Sequence, residues 1–140
     1  MKKYPVVTLC GSTRFEEAFQ HVQKDLTLRG NIVISTGVFG HSRDDEVREG
    51  MNGGTKTDTE MMLFDMDRRK IDMSDSIFIV NPDGNIGEST WSDICYARML
   101  DKQIDSLSGI SEREIENRVQ EHIKIAEELA WEQIDSIRHS

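Results

Sequence analysis

Two aspartates in the sequence, Asp67 and Asp93, are the first candidates for chemistry. Asp67 lies in a predicted helix in which Leu63, Phe64 and Ile71 form an apolar stripe, and a rotation of about 100° per residue places Asp67 at the centre of that stripe. A carboxylate in this position needs either an ion-pair partner or a place where the stripe meets a pocket. We therefore interpret Asp67 as a candidate general acid, with an ion pair to a nearby Arg or Lys as the alternative.

Asp93 follows a segment rich in glycine and hydroxyl residues, which comes after the apolar run Ser76 to Asn81. Such a segment, followed by a helix start, is typical of a cradle for an anion or a sugar. The residues expected to bind the substrate there are Gly87, Glu88, Ser89 and Thr90. We place Asp93 in the first turn of the following helix, where a carboxylate can attack a sugar C1′ as a nucleophile. Thr90-x-x-Asp93 equally fits a capping box, in which Asp93 serves only the helix.

A second cradle is expected after the first strand, where Gly11, Ser12, Thr13 and Arg14 follow one another. Glycine lets a ligand approach the backbone, the amides of a helix start attract an anion, and Arg14 adds a positive charge. This segment is shorter than a dinucleotide-binding or Walker motif, so an ordinary strand-to-helix turn is the alternative.

The long segment from Gly37 to Gly54 carries glycines among charged residues and has little periodicity. We interpret it as a lid or a specificity loop, because long loops in small domains are usually functional or disordered. His41 within it is a candidate ligand contact, with a solvated loop histidine as the alternative. The acidic run Asp44 to Glu46 has no paired histidines and predicts a solvated loop rather than a metal site.

These candidates need a scaffold, and the sequence alternates strand and helix patterns. Apolar runs predict strands over 4–10, 31–35, 76–81 and, more weakly, 103–107. Capping boxes at Thr13/Glu16, Thr57/Glu60 and Ser111/Glu114 predict three helix starts, and a fourth helix is expected over about 90–100. The alternation predicts an α/β fold with a doubly wound parallel sheet of four to five strands and a long C-terminal helix. Ligands of such sheets bind at the carboxyl ends of the strands.

Composition narrows the class of protein. The 140 residues fit a single domain over 1–140, and no apolar run is long enough to span a membrane. The net charge of −9, from 17 basic and 26 acidic residues, disfavours binding to a nucleic acid polymer. Cys10 and Cys95 are too few and too far apart for zinc spacing, and we expect two reduced, buried thiols in a cytoplasmic protein.

Together these residues resemble the nucleoside 2-deoxyribosyltransferase family, which includes the deoxynucleoside 5′-monophosphate N-glycosidases. The similarity runs from about Val6 to Leu107. It rests on Cys10-Gly11-Ser12-Thr13-Arg14, on Asp67, and on Ser89-Thr90-x-x-Asp93-Ile94-x-Tyr96-Ala97. The resemblance implies a flavodoxin-like sheet, no metal or organic cofactor, and a homo-oligomer whose sites can be completed by a neighbour. The helix over 110–140 lies outside the resemblance and is a possible oligomer contact.

The resemblance also implies a double displacement at C1′ of a nucleoside or a nucleoside 5′-monophosphate. Asp93 attacks the anomeric carbon, an acid resembling Asp67 assists the departing base, and water or a second base releases the sugar. The turn at Gly11 to Arg14 and the hydroxyls of Ser89 and Thr90 would hold the 5′ end. The sequence departs from the family in two places: the nucleophile is usually glutamate, and relatives carry an aspartate or serine where this chain has Gly87.

Three other functions stay open from the sequence. The first is a nucleotide-binding or sensing module of the same fold, which the shorter side chain of Asp93 favours. The second is a phosphoribohydrolase of the cytokinin-activating type, ranked lower because its fuller glycine motif is missing. The third is an acidic scaffold protein without a ligand, which leaves Asp67 on an apolar stripe unexplained.

Overall fold

The fold is that of a computed structural model, which describes residues 1–37 and 56–138. These residues contain four β-strands and four α-helices that alternate along the chain. In order they are β1 (Val6–Gly11), α1 (Glu16–Leu28), β2 (Ile32–Ile34), α2 (Lys56–Asp72), β3 (Ser76–Val80), α3 (Glu88–Met99), β4 (Gln103–Ser106) and α4 (Glu112–Arg138). His41 and the run Asp44 to Glu46 lie outside the described residues, as does most of the predicted lid.

The four described strands form one parallel sheet in the order β2-β1-β3-β4. The chain runs from β1 outward to β2 on one side, and then returns to place β3 on the other side of β1. The strand order therefore reverses between β1 and β3, where Gly11 pairs with Val80 at the carboxyl ends. The prediction of a doubly wound parallel sheet is confirmed, including the weak fourth strand, and the architecture is consistent with a flavodoxin-like fold.

The apolar core divides into two clusters, one on each side of the sheet. Leu9 and Val80 pack with residues of α1 in one cluster, and Cys10 packs in the other with Ile71 of α2 and Ile94 of α3. Successive residues of a strand point to opposite faces, so Leu9 and Cys10 bury different sides of β1. Both faces are therefore covered by helices, which explains why the strands read as nearly continuous apolar runs.

Two of the three predicted capping boxes are wrong. In the first, α1 begins at Glu16 with Phe15 as its N-cap residue, because the Phe15 amide donates to the Ser12 carbonyl at 3.1 Å and a turn occupies the segment around Thr13. In the second, Thr57 lies inside α2, which already begins at Lys56. At Thr13 the local Thr-x-x-Glu pattern thus gave way to the surrounding backbone.

The helix start predicted at Ser111 and Glu114 is confirmed, since the Ser111 hydroxyl accepts a hydrogen bond from the Glu114 amide at 3.2 Å. The helix that it opens, α4, extends over 27 residues. Ile115 is its only buried residue, and side chains such as Leu129 and Trp131 are exposed. The expected oligomer contact on this helix stays a prediction.

Both cysteines are buried and free, as expected. None of the described helices combines the length and the apolar content that crossing a lipid bilayer requires.

Candidate active site

A cavity of about 460 Å³ lies at the carboxyl ends of β1 and β2, between α2 and the beginning of α3. Within the described part of the chain, its wall contains nine of the residues predicted from the sequence. They are Gly11, Ser12, Thr13, Asp67, Gly87, Glu88, Ser89, Thr90 and Asp93. The sheet thus brings together three segments far apart in sequence, as the rule for open parallel sheets anticipates. Arg14 is exposed and lies outside this wall, with its guanidinium 4.7 Å from the centre of the Phe15 ring.

Asp93 lies deeper in its helix than the sequence suggested. Since α3 begins at Glu88 with Gly87 as its N-cap residue, Thr90 is already helical and Asp93 falls in the second turn. The capping-box alternative for Thr90 and Asp93 is therefore wrong, because the orphan amides that a cap serves belong to the first turn. The Asp93 carboxyl instead lines the cavity.

The protonation of Asp93 is shifted towards neutrality. Burial is the main cause and the negative charge of Asp67 the second, and together they raise the pKa of Asp93 from 3.8 to about 7, against the opposing charge of Arg68. Near pH 7 this carboxyl is therefore divided between its acid and its carboxylate forms. A strongly perturbed carboxyl in a cleft is a recognised sign of a functional site.

Asp67 projects from α2 into the same cavity, with 41% of its side chain exposed. The Lys70 ammonium lies 3.8 Å from Asp67 Oδ1, one helical turn further on, so the ion pair expected as the alternative is present in loose form. Lys70 itself lines the cavity. Asp67 thus both lines the cavity and pairs with Lys70, so its interpretation as a candidate general acid is compatible with the ion pair.

The thiol of Cys10 lies near both aspartates. Burial, and then the negative charges of Asp93 and Asp67, raise the pKa of Cys10 well above its usual range. Both carboxylates therefore act on one point at the end of β1. The thiol stays protonated near neutrality, which removes Cys10 as a competing nucleophile.

Arg68 connects the helices that carry the two aspartates. Its Nη2 donates to Ser92 Oγ at 2.6 Å, and its guanidinium lies 4.3 Å from the centre of the Tyr96 ring. Tyr96 in turn donates to Asp72 Oδ1 at 2.5 Å, and this hydrogen bond raises the pKa of Tyr96. Sequence analysis missed Arg68, although its place beside Asp67 and opposite Tyr96 of the family-like segment was an available signal.

Gly11 is required by packing between the two central strands. A Cβ at this position would lie 2.6 Å from the Val80 carbonyl oxygen and 3.3 Å from an atom of the Phe19 ring. Real Cβ atoms essentially never approach backbone oxygen this closely. The glycine thus lets β1 and β3 meet at the floor of the cavity, whether or not a ligand also approaches it.

Glu88 at the start of α3 carries a negative charge beside the predicted anion cradle. Arg118 of α4 donates to both of its carboxylate oxygens, at 3.1 and 3.3 Å, and places its guanidinium 4.5 Å from the centre of the Trp91 ring. The ion pair partly offsets the charge of Glu88. The N-cap residue of α3 is Gly87, and among the described residues no side chain caps this helix. The first amides of α3 therefore remain available to an acceptor.

The end of β2 supplies residues that the sequence analysis did not single out. Ser35, Thr36 and Lys70 line the cavity there, and Lys70 Nζ donates to the Ser35 carbonyl at 3.2 Å. Ser35 Oγ is buried and has no hydrogen-bond partner among the described residues. The available signal was position, because Ser35 follows β2 as the predicted cradles follow β1 and β3.

The described residues contain no group of three or more His, Cys, Asp and Glu side chains placed to hold a metal ion. In comparisons with known proteins, no family model matches the chain, and neither the curated proteins nor the solved structures contain a significant match.

Proposed function

We propose that the protein cleaves, or transfers at, the N-glycosidic bond of a nucleoside or a nucleoside 5′-monophosphate. Asp93 acts as the nucleophile and Asp67 as the general acid. The observation that carries this proposal is the meeting of two carboxyl groups from different helices in one cavity at the switch in strand order, with the pKa of Asp93 raised to about 7. The cavity, about 460 Å³, is within the usual range for small-molecule sites.

The chemistry is a double displacement that retains configuration at C1′. The Asp93 carboxylate attacks C1′, the bond from C1′ to the base nitrogen breaks, and Asp67 gives its proton to the base as it leaves. A water molecule, or a second base, then attacks C1′ of the glycosyl ester. The Asp67 carboxylate takes the proton of this attacking group, and Asp93 leaves as a carboxylate.

The charges couple the protonation of the two carboxyls, because ionised Asp67 favours the acid form of Asp93. The charge of Asp67 raises the pKa of Asp93, so a proton on Asp67 removes part of the cause and favours the ionised form of Asp93. The Arg68 guanidinium also lowers the pKa of Asp93. Protonated Asp67 and ionised Asp93 are the forms that the first step needs.

The remaining wall suits the sugar and its 5′ substituent. Amides and hydroxyls come from the start of α3, with Ser89 and Thr90, and from the turn at Ser12 and Thr13. Such groups bind a hydroxyl or a phosphate oxygen. The pairing of Glu88 with Arg118 reduces the repulsion that a phosphate would meet there.

Release of free base from ribo- and deoxyribonucleosides and their 5′-monophosphates tests the proposal. Asp93→Asn should abolish release, because an amide cannot form the glycosyl ester. Asp65→Asn, which changes an aspartate on α2 whose side chain is 70% exposed, is the matched control and should retain it. If no substrate releases base, or if Asp93→Asn releases base as fast as the native protein, the proposal is wrong.

A nucleotide-binding module of the same fold is the second candidate, favoured by the length of the Asp93 side chain. Aspartate is one methylene shorter than glutamate, which retracts the carboxylate by about 1 Å, and in-line attack is sensitive to such distances. Asp93→Glu separates the two functions. Activity that emerges only in this variant identifies the native protein as a binding module.

A further inference from the structure

We propose that the Ser35 hydroxyl binds the heteroatom edge of the nucleobase, so that base selectivity resides at the end of β2. This inference rests on the function proposed above and deepens it by assigning the base subsite. We define that subsite by Ser35, Lys70, Leu63 and Phe64, all of which line the cavity.

The hydroxyl of Ser35 is a buried polar group whose hydrogen-bonding capacity is unused among the described residues. Ser35 Oγ is buried without a partner among the described residues, whereas the neighbouring buried hydroxyls of Thr8 and Ser74 pair with each other at 2.5 Å. A buried polar group without a partner is unfavourable for the fold, and native proteins have few of them. Ser35 lines the cavity with other atoms, so rotation about its Cα–Cβ bond is needed to bring the hydroxyl to a bound molecule, which then supplies the missing partner.

The positions of Asp67 and Asp93 determine which part of the substrate would reach Ser35. Lys70 Nζ donates to the Ser35 carbonyl at 3.2 Å and lies 3.8 Å from Asp67 Oδ1, so one ammonium group links the end of β2 to the general acid. The acid must lie beside the departing base, whereas Asp93 must lie beside C1′. The base therefore extends from Asp67 towards β2, and the sugar lies towards α3.

The wall of the cavity also contains apolar side chains. Leu63 and Phe64, which lie about one helical turn before Asp67 on α2, give the cavity wall an apolar surface. A base is flat and apolar on its faces but polar at its edge, so it needs both an apolar surface and an isolated hydrogen-bonding group. A serine hydroxyl both donates and accepts, and its rotation selects the edge that it fits.

The test compares Ser35→Ala with Ser12→Ala, which removes a hydroxyl from the same cavity at the end of β1. Ser35→Ala should raise KM for the preferred base about 5- to 20-fold and reduce the preference among bases, as expected for loss of one hydrogen bond to ligand. The acid limb of the pH profile, set by Asp93, should not move. Ser12→Ala should affect all bases alike.

Thermal unfolding without ligand excludes a purely structural role. Removing an orphaned hydroxyl should leave the midpoint of Ser35→Ala unchanged or raise it. A lower midpoint with an unchanged order of preference among bases would overturn the proposal. Equal losses for every base would overturn it as well.

Equilibrium dialysis with free adenine, hypoxanthine, cytosine and thymine separates this inference from the proposed reaction. If the native protein releases no base from any nucleoside but binds one of the four, and Ser35→Ala weakens that binding at least 5-fold, the base contact stands and the reaction does not. If nucleosides are cleaved and Ser35→Ala keeps the native selectivity, the reaction stands and the assignment of Ser35 is wrong. If neither cleavage nor binding of a free base occurs, both are wrong.

Discussion

Replacing the proposed nucleophile should stabilise the protein, and the gain should depend on pH. The Asp93 carboxyl has a pKa of about 7 in the fold against an ordinary value of 3.8. Each tenfold change in proton affinity is worth about 1.4 kcal/mol, so ionising Asp93 in the folded protein costs about 4 kcal/mol more than in the unfolded chain. Asp93→Asn keeps the shape of the side chain and removes this cost.

The sign of the effect follows from which state binds the proton. Between about pH 4 and pH 7 the folded protein binds it and the unfolded chain does not, so the free energy of unfolding falls as pH rises through this window. The cost is fully present above pH 7. Asp93→Asn should therefore raise the free energy of unfolding more at pH 8 than at pH 5, by about 2 to 3 kcal/mol.

Urea unfolding at both pH values, followed by circular dichroism, measures this difference. Any hydrogen bond that the amide makes or loses contributes at both pH values, and so largely cancels when the two gains are subtracted. The exposed matched variant Asp65→Asn should show no comparable dependence on pH. An equal change for Asp93→Asn at pH 5 and pH 8, or a larger gain at pH 5, would refute the argument that burial and Asp67 raise the pKa of Asp93.

Three further predictions concern the remaining parts of the site. Asp67→Asn removes the second cause of the raised pKa of Asp93, so the acid limb of the profile of kcat/KM against pH should move to lower pH. Because this variant lacks the proposed general acid, the profile is measured with an N7-methylated purine nucleoside, whose base leaves without a proton. Glu88→Gln removes a negative charge beside the start of α3, and should improve kcat/KM severalfold for 5′-monophosphates relative to nucleosides, less so at high salt. Gly11→Ala forces a Cβ against the Val80 carbonyl, and should lower the free energy of unfolding by about 1 to 3 kcal/mol in urea.

Each of these has an outcome that contradicts it. An unmoved acid limb in Asp67→Asn would mean that the two carboxylates do not interact. An equal effect of Glu88→Gln on nucleosides and monophosphates would place the 5′ substituent away from α3. Native stability in Gly11→Ala would mean that β1 and β3 separate easily at their carboxyl ends.

The fold and nine of the nineteen described residues of the cavity wall followed from the sequence, because they depend on local patterns and on one general rule. Buried strands and amphipathic helices are visible in short windows, and parallel sheets place ligands at strand ends. The central position of Asp67 on an apolar stripe already indicated a pocket. The helix starts at Thr13 and Thr57 were wrong because a capping pattern is only a weak local preference, and at Thr13 a backbone turn overrides it.

The residues that support the two aspartates and the cavity could not be predicted from short sequence windows. Arg68 matters because α2 packs beside α3, and Ser35 matters because Lys70 of α2 reaches the end of β2. Both contacts join residues that are at least 24 positions apart in sequence. The raised pKa of Asp93 likewise depends on burial and on Asp67, neither of which a single-sequence pattern measures.

The length of α4 divides the molecule into parts with different folding behaviour. From Lys124 to Arg138 every residue is exposed, so this half of the helix buries little side-chain surface against the core and depends mainly on its own backbone hydrogen bonds. Isolated helices of about 15 residues are marginal in water, and their ends fray independently of a distant core. For the chain on its own, amide hydrogen exchange should therefore slow near Ile115 and accelerate towards Arg138, as a helix–coil gradient attached to one cooperative domain.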